Sequence, residues 1–241
     1  MTEKAEEKQY RCPGESYTIS DSVCRGRQRV NYPKCNVCLE KVEPGGFAQS
    51  HAEPKLSINI FKSYDIRGKY PSELNDTTAH KIGTSIALFF REKNPDVKNI
   101  VVGRDMRLSS KSLANALIEG LCTAGLNVIN VGVVSSEMTY FAVGHYKYDG
   151  GVMVTASHNP AEYNGFKLCR EQAIPVSFET GIDRISKLTK QYHPLRGEHL
   201  GKVIVSDIFA DYKKHVLKFA SNLRHLRVVI DAGNGMAGKT I

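Results

Sequence analysis

Apolar positions along this chain recur in two alternating rhythms. One suits strands buried on both faces, the other helices with a single inward face. Val152, Met153 and Val154 form an uninterrupted apolar run ending at Thr155-Ala156-Ser157, which predicts a covered strand over 151–155. Asp76 or Thr77 is placed to cap a helix with Ala79, Ile82, Ile86, Phe89 and Phe90 on one face, ending near Asn94-Pro95. Asn99–Gly103 reads as a short strand. Ser109 or Ser110 opens a second helix with Leu113, Leu117, Leu121 and Ala124 inward and Gly125 as its stop. The pattern continues with a strand over 127–132 and a helix over 136–146. Further helices follow over 178–191, with Ile182, Ile185 and Leu188 inward, and over 207–220. They lead to a strand at Arg227–Asp231 and a glycine-rich turn through Gly238.

Strand and helix alternating at this spacing predict an α/β protein, a three-layer α/β/α sandwich with both sheet faces covered. Residues 1–50 show neither rhythm and are rich in turn formers, such as Pro13-Gly14 and Pro44-Gly45-Gly46. The expected organisation is a small Cys-rich segment (1–50), a linker around Gly45–Pro54, one full domain (51–205) and the start of a second α/β domain (206–241). The second domain is expected to be incomplete, because a lone strand and turn leave apolar surface uncovered.

Composition narrows the class without deciding it. No run of 18 apolar residues occurs and the opening residues carry mixed charge, which predicts a cytoplasmic protein with no membrane partner. The net charge is +8. Residues 1–50 hold 8 basic and 7 acidic side chains, so the excess lies in the α/β part. Such an excess suits phosphorylated substrates, and a nucleic-acid surface would carry the same sign.

The candidate chemistry centres on Ser157. Pro160 pushes Asn159 out of helical geometry, so Ser157 and His158 fall on an irregular turn at the strand's carboxyl edge, where open α/β sheets place ligands. The run Thr155-Ala-Ser-His-Asn-Pro160, followed by Tyr163-Asn-Gly-Phe-Lys167, resembles the phosphoserine loop of the α-D-phosphohexomutases, in particular the bacterial phosphomannomutase/phosphoglucomutase type. Ile60–Gly68, Val102–Ser110 and Asp231–Gly238 are similar to three further segments of that family.

The resemblance implies an intramolecular phosphotransferase, an isomerase of carbohydrate metabolism. It would move phosphate between the 1- and 6-positions of a hexose phosphate through a bisphosphorylated intermediate. Ser157 would carry the phosphoryl group and contribute to a Mg2+ site. His158, Lys167 and Arg67 would be catalytic, with Lys167 assisting proton transfer or offsetting charge and Arg67 engaging phosphate oxygens through its planar fork. Tyr64, Asn159 and Asn164 would bind substrate. Arg104 and Asp105 are expected to pair with each other and brace their loop. The family's aspartate-rich magnesium loop and its sugar-selecting loops have no counterpart in these 241 residues, so the expectation is little or no turnover by this chain alone.

Six cysteines divide into two groups. Cys122 and Cys169 sit in apolar, patterned segments as reduced thiols. Cys12, Cys24, Cys35 and Cys38 crowd a polar stretch in which Cys35-Asn-Val-Cys38 has the spacer of a zinc knuckle. Cys12 and Cys24 lack that spacer, and His51 is a substitute ligand. Structural Zn2+ and free thiols are both open readings. The alternative function is a zinc-ribbon-bearing module that binds nucleic acid or protein through Arg25, Arg27 and Arg29, beside a non-catalytic mutase-like domain. Nucleic acid is the less favoured partner, and the pattern sets no oligomeric state.

Overall fold

The structure is a computed structural model of the 241-residue chain; it describes residues 9–10, 19–20, 58–194, 200–220, 224–225, 227–233 and 235–241. The chain divides into two compact units, Met1–Glu53 and Pro54–Ile241. In the first, β1 (Gln9–Tyr10) pairs antiparallel with β2 (Ile19–Ser20). Cys12, Cys24, Cys35, Cys38, His51, the three arginines 25, 27 and 29 and the Gly45–Pro54 linker all lie outside the described residues.

The second unit is built on a six-stranded sheet of β3 (Ile66–Lys69), β4 (Asn99–Arg104), β5 (Asn127–Val133), β6 (Gly150–Val154), β7 (Tyr163–Arg170) and β8 (Val203–Val205), in spatial order β3-β7-β6-β4-β5-β8. Strands β6, β4, β5 and β8 run parallel. β7 is antiparallel to both of its neighbours, so the sheet is mixed. β7 follows β6 closely through the Ser157 turn, and only an antiparallel return fits so short a connection. β8 lies at the sheet's edge, and its three residues are exposed.

Helices α1 (Asp76–Lys93), α2 (Ser110–Thr123) and α4 (Asp183–Lys190) cover one face; α3 (Ser136–His145) and α5 (Phe209–Leu217) cover the other. The expected inward positions of α1 and α2 are all buried, from Ile82, Ile86, Leu113, Leu117 and Leu121 at 0 % exposure to Ala124 at 4 %. Each large apolar side chain so enclosed contributes about 1.5–3 kcal/mol relative to exposure. They form one core with Val152, Val154, Phe166 and Leu168 from the sheet. On the opposite face Val101, Met153 and Cys169 pack with Met138, Val143 and Ile208. α5 joins that layer where the Tyr146 hydroxyl meets Asp211 Oδ2 at 2.5 Å.

The sandwich architecture is as expected, with corrections in detail. The cap of α1 is Asn75, whose side chain accepts from the Thr78 N–H at 3.0 Å; Asp76 and Thr77 are already helical. The segment expected to be helical over 178–191 begins with a single wide turn, Phe178–Ile182, capped by Ser177, before α4. Arg227–Asp231 is not a strand: Val228, Val229 and Ile230 are at least half exposed and pair with no neighbour among the described residues. A strand needs a partner edge as well as an apolar run. Cys122 is half-buried and Cys169 buried, both free, with burial pushing their thiols up to about 11 and about 12. No helix among the described residues is long and apolar enough to cross a membrane.

Candidate active site

The site is assembled at the edge where β4 and β6 end side by side, Arg104 opposite Val154. The chain leaves β6 through Thr155 and Ala156, both buried, and presents Ser157 and His158 to solvent. Ser157 adopts φ +54°, a left-handed conformation that costs a residue with a Cβ about 1–3 kcal/mol and persists only where surrounding contacts impose it. Its Oγ lies 3.3 Å from His158 Nδ1.

A buried polar relay imposes that turn. The Ser157 N–H donates to Thr155 Oγ1 at 2.9 Å, and the Thr155 hydroxyl donates to Asp105 Oδ2 at 2.7 Å. The Ser110 hydroxyl, at the first residue of α2, donates to Asp105 Oδ1, which also accepts from the Arg107 N–H at 3.0 Å. Asp105 is 8 % exposed, so its carboxylate is satisfied almost wholly by protein groups.

Arg107 completes the arrangement. Its Nη1 donates to the Pro160 and Tyr163 carbonyls at 2.8 and 3.0 Å, and its Nη2 to the Ser157 and Asn159 carbonyls at 2.8 and 2.5 Å. Its Nε stands 3.4 Å from Asp105 Oδ2. One planar fork therefore gathers four carbonyls of the Ser157 loop. The expected Arg104–Asp105 pair is not what forms: Arg104 Nη1 reaches the Asp105 main-chain carbonyl at 3.3 Å, and the Asp105 carboxylate turns to Arg107. Arg104 ends β4 beside β6, whereas Arg107 has already left the strand and can swing back under the loop.

Two of the other expected residues meet at a second carboxylate. Arg67 Nε lies 3.9 Å and Lys167 Nζ 3.7 Å from Asp65, whose side chain is 12 % exposed while theirs are 32 % and 30 % exposed. Sheet register places this pair near the loop. Arg67 stands opposite Gly165, whose carbonyl accepts the Thr155 N–H at 2.9 Å; Lys167 is two residues on, so it emerges on the same face as Arg67. On the neighbouring helix α3, Tyr140 is pushed up to about 12, chiefly by burial, with Cys169, Glu137 and Asp65 adding to the shift.

The expected substrate-binding residues separate. Tyr64 is 78 % exposed. Asn159 is half-buried, with its amide donating to the Ala156 carbonyl at 2.8 Å inside the loop. Asn164 is fully buried, donating to the Ser109 and Ser110 hydroxyls at 2.8 and 2.9 Å and accepting from the Gly165 N–H, so its amide braces the turn. Asp65, Asp105, Thr155 and Arg107 were not singled out for the site from the sequence alone. The available signal was their place within the Tyr64–Arg67 and Arg104–Ser110 segments. Two hollows of about 560 Å³ each lie elsewhere, one lined by Phe89, Glu92, Phe178 and Arg184, the other by Phe141, His145, Tyr212 and His215.

These residues do not make a divalent-cation site by themselves. Among the described residues no group of three or more His, Cys, Asp or Glu is placed to hold a metal. Asp65 faces two cations, and Asp105 is taken by Thr155, Ser110 and Arg107. Magnesium needs several hard oxygen ligands, and Ser157 Oγ is an exposed oxygen that the loop can offer.

Comparison with known proteins identifies the family. Residues 59–195, more than half of the chain, match the family described as phosphoglucomutase/phosphomannomutase, alpha/beta/alpha domain I. A phosphomannomutase of Vibrio cholerae is 40 % identical over 186 residues, covering 76 % of this chain and 40 % of the relative. Phosphohexose mutases of Xanthomonas campestris are 41 % identical over 185 residues, with the same two coverages of 76 % and 40 %. The crystal structure of a phosphoglucomutase/phosphomannomutase family protein from Burkholderia thailandensis aligns with a TM-score of 0.68 at 32 % identity, covering 77 % of this chain and 41 % of that one. The chain thus spans about 40 % of the length of the curated relatives it matches.

Proposed function

Since the chain belongs to the phosphoglucomutase/phosphomannomutase family, we propose that Ser157 is the residue through which a hexose phosphate exchanges phosphate between its 1- and 6-positions. The observation that carries the reading is the Ser157 hydroxyl itself. It is exposed at the sheet's carboxyl edge, in a conformation its surroundings impose, with a histidine nitrogen 3.3 Å away. A structural serine would need none of these.

The chemistry proceeds from phosphoserine 157. The free hydroxyl oxygen of the sugar bonds to phosphorus as the bond from phosphorus to Ser157 Oγ breaks, giving a hexose bisphosphate. The hydroxyl proton finishes on Ser157 Oγ, and His158 Nδ1 is within reach to relay it. Return of the other phosphate to Ser157 Oγ reverses these bond changes and releases the isomer. The transition state spreads negative charge over the phosphoryl oxygens, so catalysis rests on positioning and cations. Arg67 supplies a two-pronged donor and Lys167 a point charge, both oriented by Asp65. The magnesium of this reaction class supplies further charge compensation when bound. With no acidic cluster beside Ser157 among the described residues, turnover by the 241 residues alone is expected to be slow.

Mapping of transferred phosphate tests the assignment. The chain is incubated with hexose 1,6-bisphosphate and Mg2+, digested, and its phosphopeptides are sequenced by mass spectrometry. Phosphate on Ser157, lost in Ser157→Ala, is the expected result. Phosphate fixed reproducibly at another residue, with position 157 bare, refutes it.

A further inference from the structure

We propose that Arg107, locked by Asp105, is the positioning residue of Ser157: it sets where the serine stands relative to Arg67 and Lys167. This inference rests on the reading of Ser157 as the phosphoryl carrier. Four carbonyls, from Ser157, Asn159, Pro160 and Tyr163, converge on one guanidinium at 2.5–3.0 Å, and no other side chain reaches more than one carbonyl of that loop among the described residues. Five donors in a fixed plane can satisfy such a set; the single ammonium of a lysine cannot hold four diverging carbonyls.

The latch also determines which way the loop faces. A planar trans peptide points its C=O and N–H in opposite directions, so a Ser157 carbonyl directed at Arg107 turns the His158 N–H to the far side. Asp105 fixes the other end. It pairs with Arg107 Nε, accepts from the Arg107 N–H and the Thr155 hydroxyl, and through Thr155 holds the Ser157 N–H. Carbonyls on one side and the Ser157 N–H on the other leave the left-handed φ as the conformation that satisfies both. Arg107 is 16 % exposed in its side chain, and its Nη1, Nη2 and Nε are all engaged by the loop carbonyls and Asp105, so it acts through Ser157 rather than on the phosphoryl group.

The test compares the full chain with Arg107→Met and Arg107→Lys, each also prepared with phosphoserine installed genetically at 157, so that loading by a sugar phosphate is not required. Amide hydrogen exchange over residues 156–163 is read against helix α2 as an internal standard. The expected result is exchange at least tenfold faster in the loop of Arg107→Met, with α2 unchanged and Arg107→Lys in between. The second readout is the 31P titration of phosphoserine 157. Cations nearby depress the second phosphate pKa, and losing the latch moves it toward the value of about 6 seen in free phosphoserine. A general loss of packing would not shift that titration while α2 stays protected.

Unchanged loop exchange in both variants overturns the latch. Faster exchange with an unchanged titration also overturns the positioning role, because the loop would then be loosened without moving the serine. A phosphoserine that titrates as the free amino acid in the parent chain refutes the reading of Ser157 among cations; the exchange data then judge the latch alone. Should Arg107→Met fail to fold, Arg107→Lys and Asp105→Asn carry the same two measurements.

Discussion

The α1–α2 face of the sheet and the Ser157 loop are held by opposite means. Between α1 and α2 the contact is mainly apolar, crossed by the Thr84 hydroxyl donating to the Gly120 carbonyl at 3.3 Å and the Ser112 hydroxyl donating to Asp76, and so close that glycine is required. A Cβ on Gly120 would lie 2.2 Å from the His80 carbonyl oxygen, and one on Gly83 2.3 Å from that of Leu117. The loop has no apolar anchor of its own beyond Ala156 and is held by a buried carboxylate and a guanidinium. Burial is non-directional and gives stability, whereas the polar relay fixes one backbone conformation at a precise place. A residue that must present an oxygen to a reaction needs the second kind of support on top of the first.

Removing apolar bulk should therefore have the largest effect on stability. Phe166 is fully buried on β7, in the core shared with α1 and α2. Phe166→Ala is expected to cost about 3–5 kcal/mol, read from the urea midpoint at constant slope. Breaking the relay should cost less. Asp105→Asn leaves the Thr155 and Ser110 hydroxyls and Arg107 competing for one carbonyl oxygen, a loss of roughly 1.5–3 kcal/mol. Equal costs for the two would show that the loop is part of the core and erase the distinction.

The helix seam gives a finer comparison because two effects oppose. Gly120→Ala gains helix propensity of about 1 kcal/mol, but the new methyl meets a backbone oxygen that cannot move independently of α1, an overpacking cost of about 1–3 kcal/mol. A modest net destabilisation is expected. A more stable variant would mean that α1 and α2 can separate freely, and that the seam is looser than the loop.

The same division explains what the sequence discloses. Helices α1 and α2 and strand β6 are visible from local pattern, because each buries residues at a fixed period: Ile82, Ile86 and Phe89 on α1, Leu113, Leu117 and Leu121 on α2. β7 is harder to read because its first residues, Tyr163-Asn164-Gly165, show no apolar alternation, and the pattern of Phe166 and Leu168 to one face and Lys167 and Cys169 to the other starts only in mid-strand. The strand expected at 227–231 misled for the converse reason: Val228-Val229-Ile230 has the residues of a strand without a neighbour among the described residues. Ser157, Arg67 and Lys167 stand in the segments that resemble the family's motifs, so the sequence offers them as candidates. It does not disclose the role of Arg107, because the carbonyls it binds lie 50 to 56 positions further along the chain and main-chain acceptors leave no mark on side-chain identity. Asp65 was hidden similarly, since one of its partners, Lys167, is on β7.

The smallest effect expected is a pH dependence on the apolar side of the comparison. His80 lies on the α1–α2 seam with its ring edge toward Tyr192, 6.3 Å between centroids, and its pKa is lowered from 6.5. Burial is the main cause; the charge of Glu119 opposes it, and that of Lys81 adds to it. The unfolded chain therefore binds a proton more readily than the folded one. The contribution of His80 to stability is fully present above pH 6.5 and declines as the pH falls through that value toward the lower folded pKa. Urea midpoints at pH 7.5 and 5.5 should show the parent losing more stability on acidification than His80→Gln, in which no imidazole has to be charged in the seam. The Ser157 loop lies outside that seam, held by Asp105 and Arg107, so its exchange protection, corrected for the intrinsic pH dependence of amide exchange, should not follow the same profile. A loop profile that tracks His80 would mean that seam and loop open together, as one cooperative unit.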